Sequence, residues 1–269
     1  MSSSQYGVSK VREMIRLTLL ICSLLAVAMP ALAQTPTVED LLAKNLESRG
    51  GAERLRAITT RRVAGTVTVQ VQMPPGAPQS AEPAPQTLQM PMQVLAKRPN
   101  LMLQEMKMQD RRVVTAFDGQ QAWAINPMIG PSAQLLQGVQ ADLIRDQAQF
   151  DGPLAYAKQR GDKMEILGKE AIEGSPAWKL AITHGDKITT VYLDEKTTLE
   201  RKVSASVNQG GTQLLVESLI SDYQPVDGIM VPRKVQTLVG GQTQATVSIE
   251  KIEFNLPIED TEFKMPAAQ

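Results

Sequence analysis

The side chains that most often carry out chemistry in proteins are few in this sequence, and they are poorly placed for it. His184 is the one histidine among 269 residues, and it lies in the predicted turn His184-Gly185-Asp186. His184 could act as a general base or a metal ligand, but a solvated turn residue is much the more common case. No second histidine exists to complete an HExxH motif or a facial triad of metal ligands.

Other residue types that support catalysis also lack the spacing that catalysis needs. No serine lies in a G-x-S-x-G motif. The neighbouring carboxylates of 194–195 and 259–260 would point to opposite faces of a strand, so neither pair can share a substrate. The glycine pairs at 210–211 and 240–241 lack the strand–loop–helix context of a phosphate-binding loop. We therefore expect no enzymatic activity, no catalytic residue, no metal and no cofactor.

The first residues of the chain have the pattern of a secretory signal peptide. Three basic residues within 10–16 precede an apolar run at 17–28, and Ala31-Leu32-Ala33 offers a cleavage site. An uncleaved anchor helix is the alternative, but the apolar run is short for a membrane span. We expect residues 1–33 to be cleaved, so that the mature protein begins at Gln34.

The mature chain has neither thiol chemistry nor a strong net charge. The single cysteine, Cys22, lies within the apolar run, and Ile21 before it does not fit a lipid-modification site. Without residues 1–33 the chain keeps 25 of its 28 basic and 27 of its 28 acidic residues, a net charge of −2. The lack of cysteine after residue 33 excludes a disulfide framework, and the near balance of charge gives no reason to expect nucleic acid as a partner.

Methionine is the most informative residue type in the mature chain. Ten of the 13 methionines follow residue 33, whereas the whole chain has four phenylalanines and two tryptophans. Met90 and Met92 would share one strand face, and Met102, Met106 and Met108 another. Because methionine is flexible and polarizable, such faces either adapt to ligands of variable shape or fill an irregular core. The composition alone does not decide between these two interpretations.

Hydrophobic periodicity predicts mainly strands. Thr37 and Asp40 form a capping box before an apolar helical stripe, and 63–71 alternates between Val or Gly and small or polar residues. Further strands are predicted at 88–96, 101–108, 113–117, 121–125, 163–167, 177–183, 188–193, 199–207, 212–223, 229–238 and 243–254. Helical spacing appears at 132–147 and 153–160, and the proline-rich segment 73–87 is expected to be a loop.

Roughly a dozen strands in sequence order favour an antiparallel meander. With so few helices to cover it, such a sheet must curl to bury its inner face. We expect one domain at 34–269 of the mainly β (α+β) class. It would contain a strongly curled antiparallel sheet or incomplete β-barrel, an N-terminal helix and a helical lid at about 131–160 over an apolar cavity.

Two motifs, KRPNL at 97–101 and FDGQQAWAINP at 117–127, resemble the periplasmic lipoprotein-carrier family (LolA-like) in sequence and spacing. Two further motifs, SDYQPVDGIMVPRKV at 221–235 and FKMP at 263–266, resemble a broader branch of that family, the outer-membrane lipoprotein-sorting proteins. The resemblance implies a half-barrel of about eleven strands and a periplasmic carrier of acylated lipoprotein or lipid cargo. It also implies an inner-membrane releasing complex and an outer-membrane acceptor as partners. We expect a monomer.

The resemblance also implies a role for Arg98, because the matching arginine of the family bonds the backbone of the lid and holds the cavity shut. Without the resemblance, Arg98 would be interpreted as a solvated charge at a hairpin. We expect Arg98 to be the lid latch. The residues expected to line the lipid-binding cavity are Val67, Val69, Met92, Met102, Met106, Trp123, Leu136, Val139, Leu143 and Val216. A module of the same fold that senses lipids or lipoproteins is the alternative function.

Overall fold

The structure is a computed structural model that describes residues 35–71, 86–209 and 211–267. The chain divides into two units, Met1–Thr35 and Pro36–Gln269, and the described helices and strands all lie in the second. The expected signal peptide lies outside the described residues, as does the expected proline-rich loop apart from its last two residues. Those two, Gln86 and Thr87, begin a strand.

The N-terminal helix begins where the capping box of Thr37 and Asp40 predicts. Thr37 Oγ1 accepts a hydrogen bond from the Asp40 N–H at 3.1 Å, and the Thr37 N–H donates to Asp40 Oδ2 at 3.0 Å. The helix ends before Gly50, whose φ is +123°. A Cβ at Gly50 would lie 2.5 Å from the Gly228 carbonyl oxygen, so only glycine allows the helix end to approach this turn.

The described residues form four α-helices, thirteen strands and one 3₁₀ helix. The helices are α1 (Val38–Ser48), α2 (Ala52–Ala57), α3 (Gly138–Gln147) and α4 (Pro153–Arg160), and the 3₁₀ helix is Asp260–Phe263. The first six strands are β1 (Thr60–Val71), β2 (Gln86–Lys97), β3 (Leu101–Met108), β4 (Arg111–Phe117), β5 (Ala122–Ile125) and β6 (Gln134–Leu135). The other seven are β7 (Lys163–Ile172), β8 (Ser175–His184), β9 (Lys187–Asp194), β10 (Glu200–Gln209), β11 (Thr212–Val226), β12 (Ile229–Val239) and β13 (Gln242–Phe254).

All thirteen strands belong to one antiparallel sheet in the order β6-β5-β4-β3-β2-β1-β13-β12-β11-β10-β9-β8-β7. Two meanders, β1–β6 and β7–β13, meet where β1 pairs with β13. The expected antiparallel meander is confirmed, with two strands more than the eleven that the resemblance implied; β6 has only two residues. The sheet is open, with β6 and β7 as its edges.

Helices cover one face of this sheet, here called the inner face. Leu41 of α1 and Leu154 of α4 pack on Leu180 and Val191 of β8 and β9. The segment that follows β13 covers the opposite, outer face, where Phe263 packs against Leu103 and other apolar side chains of β2–β5. The sheet therefore buries apolar side chains on both faces.

The predicted lid helix at 132–147 is shorter in the structure. Gln134 and Leu135 pair with β5 as the strand β6, and the Leu136 N–H donates to the Ala122 carbonyl oxygen at 2.8 Å. Gly138, with φ of +57°, begins α3. The backbone of 134–136 thus finds its hydrogen-bond partners at the edge of the sheet, which overrides the helical spacing of its leucines.

Among the described residues, no helix has both the length and the apolar character needed to cross a membrane.

Candidate ligand-binding face and its lid

Valines and methionines of neighbouring strands form an apolar surface on the inner face, here called the Val/Met face. Val67 of β1 pairs with Met90 of β2, and Met92 of β2 pairs with Met106 of β3. Val67, Met90 and Met92 are buried, and Val69 and Met106 pack against them. The structure therefore brings together four of the predicted cavity residues, Val67, Val69, Met92 and Met106.

The helix α3, here called the lid helix, lies over the neighbouring strands β3–β5. Ile144 of the lid helix and Ala148 after it pack on Met102, Phe117 and Ala122. Leu136, also predicted, belongs to the same cluster. No residue of the lid helix is fully buried, so the helix covers the sheet with little apolar contact.

A cavity of about 490 Å³ lies between the lid helix and strands β9–β11. Val139 and Leu143 of the lid helix line it on one side, and Ile188 and Val207 on the other. These side chains remain well exposed, at 50% for Val139, 42% for Leu143 and 58% for Ile188. Apolar side chains that remain exposed beside a cavity indicate a surface on which a ligand can be buried.

An ion pair crosses this cavity. Lys187 Nζ, at the start of β9, lies 3.3 Å from Asp142 Oδ2 of the lid helix, and Asp142 also accepts from Arg145 at 2.8 Å. The hydrogen bond and the positive charge of Lys187 hold the pKa of Asp142 below its usual value. The lid helix is thus held electrostatically on the side where it makes little apolar contact.

Arg98, the expected latch, makes hydrogen bonds in three directions. Its guanidinium donates to both carboxylate oxygens of Asp151, at 2.5 and 2.7 Å. It also donates to the carbonyl oxygens of Leu55, at 2.8 Å, and Ile58, at 2.6 Å, beside the end of α2. The guanidinium carbon lies 4.5 Å from the centre of the Phe150 ring. Arg98 is therefore not a solvated hairpin charge.

The partners of Arg98 differ from those that the resemblance implied. The backbone carbonyls that it binds belong to Leu55 and Ile58, not to the lid helix. Its link to the lid segment passes through the Asp151 carboxylate and the Phe150 ring, between α3 and α4. The carbonyls at the end of this short helix are incompletely satisfied, since Leu55 accepts one long backbone bond, from the Ile58 N–H at 3.4 Å, and a forked donor can bind there.

The prediction that Trp123 lines the cavity is wrong, because Trp123 lies on the outer face of the sheet. Its neighbour Ala122 contacts the inner-face cluster under the lid helix, so the alternation of β5 directs Trp123 outward. Trp123 is buried against Phe263, and its Nε1 donates to the Phe263 carbonyl oxygen at 2.9 Å. The C-terminal segment supplies the partner that a buried indole N–H requires.

Val216 is separated from the other predicted cavity residues. It pairs with Ala205 of β10 and Val239 of β12, which places it on the inner face by register, and it is partly exposed. It belongs to no buried cluster of the described residues.

His184 ends β8 and is exposed, as expected of a turn residue. Its Nδ1 lies 2.7 Å from Asp162 Oδ1, and Asp162 also accepts two hydrogen bonds from Arg160. Burial opposes ionisation of Asp162, but the hydrogen bonds from Arg160 and His184 outweigh it, so the pKa of Asp162 is below its usual value. Within 35–71, 86–209 and 211–267, no three histidine, cysteine or acidic residues are grouped to hold a metal ion.

Sequence reasoning missed Arg61 and Phe150, which lie at the end of the Val/Met face. Arg61 pairs with Ala96 and shares its strand face with Val63, Val67 and Val69. The predicted strand began at Val63, although extending its alternation by two residues would have placed Arg61 on the same face. No comparable local pattern marks Phe150, because it lies between two helices and its burial depends on distant residues.

Solved structures show the same architecture. A LolA superfamily protein from Nitrosomonas europaea matches with a TM-score of 0.55 at 15% identity, over 86% of this chain and 98% of that one. A DUF1329 family protein from Desulfovibrio piger matches with a TM-score of 0.57 at 10% identity, over 86% and 98%. A domain from Vibrio parahaemolyticus described as an outer membrane lipoprotein-sorting protein matches with a TM-score of 0.51 at 12% identity, over 82% and 96%.

No protein-family model matches the chain, and no curated protein matches it in sequence. At identities of 15% or less these likenesses concern the fold. The chain has a LolA-like fold: one open, curled antiparallel sheet whose inner face is covered by a few helices.

Proposed function

We propose that the protein is a secreted carrier that binds acyl chains, of lipoproteins or of another lipid, between its inner face and the lid helix. The observation that carries the proposal is the Val/Met face beside a lid helix of which no residue is fully buried. A cover with so little apolar contact can leave the sheet at a small free-energy cost, whereas a core helix cannot.

The energetics of an acyl chain agree with such a site. Each buried CH₂ group contributes about 0.8 kcal/mol, so a chain that enters the cavity of about 490 Å³ by a few carbons gains useful affinity. On the Val/Met face, methionine side chains adapt to chains of different length and saturation. Val139, Leu143 and Ile188 would then become buried by the ligand.

The wider role is transport through the periplasm toward the outer membrane, with a releasing complex at the inner membrane and an acceptor at the outer membrane. The signal-peptide pattern of 1–33 and the description of the Vibrio parahaemolyticus domain support this role. The proposal assigns no enzymatic activity to the chain.

Purification without detergent from a host with two membranes tests the proposal. Mass spectrometry should find acylated protein or lipid with the purified chain. A delipidated sample should bind a fluorescent fatty-acid probe. Repeated recovery of empty protein that accepts no acyl ligand would refute the carrier function.

Matched variants localise the binding. Replacing Val139 and Leu143 together by serine should weaken probe binding, because both line the cavity. Leu215→Ser is the control: Leu215 is 45% exposed, but it lies next to the inner-face residue Val216 and therefore on the outer face. Equal loss in both variants would argue against this site. His184→Ala should leave the chain's binding unchanged.

A further inference from the structure

The side chain of Arg61 is a partly buried cation without a counter-ion of its own. Its Nε is buried and makes no hydrogen bond, and no ion pair or hydrogen bond joins its side chain to another described residue. Arg62 and Arg233 also have a buried, unbonded Nε. However, Arg62 lies 3.6 Å from Glu253, and Arg233 donates to the Glu250 carbonyl oxygen. Among these three, Arg61 alone has only an aromatic contact, with Phe150 at 5.2 Å.

The Arg61 guanidinium lies at a cavity of about 230 Å³ that two other arginines, Arg49 and Arg98, also line. The carboxylates at this cavity are those of Asp151 and Glu200. Arg98 already occupies both oxygens of Asp151. Three guanidinium groups therefore face two carboxylates, an excess of one positive charge. We call this cavity the arginine pocket.

Neither carboxylate pairs with Arg61: Asp151 binds Arg98, and Glu200 lies beside Tyr223. Glu200 accepts hydrogen bonds from the Tyr223 hydroxyl through its backbone carbonyl oxygen, at 3.0 Å, and its Oε2, at 3.4 Å.

Desolvation and the neighbouring charge of Arg49 lower the pKa of Arg61 to about 10. Arg61 stays protonated at neutral pH, and a partly buried charge whose Nε has no partner is costly unless it is compensated.

The arginine pocket is continuous with the Val/Met face. Val63 packs both against the cluster that contains Phe150 and against the cluster that contains Val67 and Met92. Arg61, Val63, Val67 and Val69 occupy one face of β1, and eight residues of strand extend about 26 Å. A charged end and a long apolar strip thus follow each other along a single strand.

We infer that the arginine pocket binds the carboxylate or phosphate group of an anionic amphiphile whose hydrocarbon chain lies along the Val/Met face. A guanidinium suits both groups, because its fork of N–H donors matches two oxygens of one anion. One negative charge would balance the excess at the pocket. The inference rests on the proposed acyl-chain binding and adds the charge of the ligand to it.

The test compares ligands with one chain length and different head groups. Hexadecyl phosphate, hexadecanoate and the neutral monopalmitoyl glycerol are titrated below their critical micelle concentrations, against a bound fluorescent acyl probe. Inorganic phosphate alone is the fourth ligand. Both anionic amphiphiles should bind at least about tenfold more tightly than the neutral one, the gain of one charge-assisted interaction.

Variants assign that preference to a residue. Arg61→Gln should abolish the difference between charged and neutral ligands, and Arg61→Lys should keep most of it. The control is Arg62→Gln, since Arg62 lies next to Arg61 on the opposite face of β1 and should keep the preference. The thermal midpoint of Arg61→Gln should be unchanged or higher, because the substitution removes an unpaired and partly buried charge.

The outcomes separate the anionic site from acyl-chain binding itself. If the wild-type protein binds charged and neutral amphiphiles equally, the anionic site is wrong and acyl-chain binding stands. If it binds none of the three amphiphiles, acyl-chain binding itself is wrong. If inorganic phosphate binds as tightly as hexadecyl phosphate, the pocket binds a free anion, and the proposal of an amphiphilic ligand is wrong.

Discussion

The guanidinium of Arg98 and the carboxylate of Asp151 form a two-pronged ion pair, with hydrogen bonds of 2.5 and 2.7 Å. Arg98 follows β2, whereas Asp151 lies in the segment between α3 and α4. The pair therefore joins the end of β2 to the segment that follows the lid helix. It is partly exposed, at 26% for the Arg98 side chain and 48% for that of Asp151.

Arg98→Leu should load acylated cargo and release it poorly. If the Arg98 bonds favour the empty state, their loss shifts the protein toward the loaded one. We expect transfer of an acylated peptide to acceptor vesicles to slow by about tenfold or more, measured by stopped-flow fluorescence. Lys97→Met is the control, because Lys97 binds Asp260 and the Ile258 carbonyl oxygen in the outer-face segment. Unchanged transfer in Arg98→Leu would leave the arginine a purely structural role.

Asp142→Asn should loosen the lid helix on the side of β9, because it removes the ion pair with Lys187. Hydrogen exchange of the amides of α3 should become faster, while exchange in α4 stays the same. Lys163→Met is a control, since Lys163 forms an exposed ion pair with Glu165 away from the lid. Identical exchange in Asp142→Asn and the wild type would show that the ion pair does not hold the lid.

Acid should loosen the lid in the same way. Lys187 depresses the folded-state pKa of Asp142, so the pair contributes stability above the usual aspartate value of about 3.9. This contribution is lost as the pH falls through the lower, folded-state value. Exchange of the α3 amides in the wild type should approach that of Asp142→Asn in this acidic window, and high salt should reduce the difference between them at neutral pH.

Leu143→Ala should cost little stability and Leu154→Ala much. Leu143 on the lid helix is 42% exposed, whereas Leu154 on α4 is 3% exposed and packs in the cluster on β8 and β9. Full burial of a leucine predicts a loss of about 2–5 kcal/mol for Leu154→Ala, and we expect less than about 1 kcal/mol for Leu143→Ala. Denaturant unfolding measures both. A large loss at Leu143 would make α3 a permanent core helix.

Trp123→Phe should destabilise the protein without affecting ligand binding. The substitution leaves the buried carbonyl oxygen of Phe263 without its indole donor, at a cost of about 1–3 kcal/mol. Since Trp123 lies on the outer face, affinity for a fatty-acid probe should stay at the wild-type value. Weaker probe binding in a folded Trp123→Phe variant would show that Trp123 contributes to the ligand-binding cavity.

The strands were predictable from local signals, because alternation and turn residues mark them in the chain itself. The strand at 101–108 and the helix at 153–160 have their predicted bounds. The capping box at Thr37 fixed the start of the first helix. The region 132–137 was not predictable in this way, because its extended backbone depends on pairing with β5, which is a tertiary interaction.

The site was predictable along each strand taken separately. Alternation groups Val67 with Val69 on β1 and Met90 with Met92 on β2, since one face of a strand is readable in sequence. The prediction for Trp123 was wrong because the sequence does not show that a C-terminal segment covers the outer face. This cover allows apolar side chains on both sides of β5. The ion pair of Lys187 with Asp142 joins residues far apart in the chain, and nothing local predicts it.

The helices α3 and α4 are part of the connection between β6 and β7, which are the two edges of the sheet. The lid is therefore attached at both ends to opposite borders of the same sheet, unlike a flap with one hinge. A movement of the lid helix away from the sheet is therefore transmitted to both borders, so that the curvature of the sheet and the position of the lid vary together.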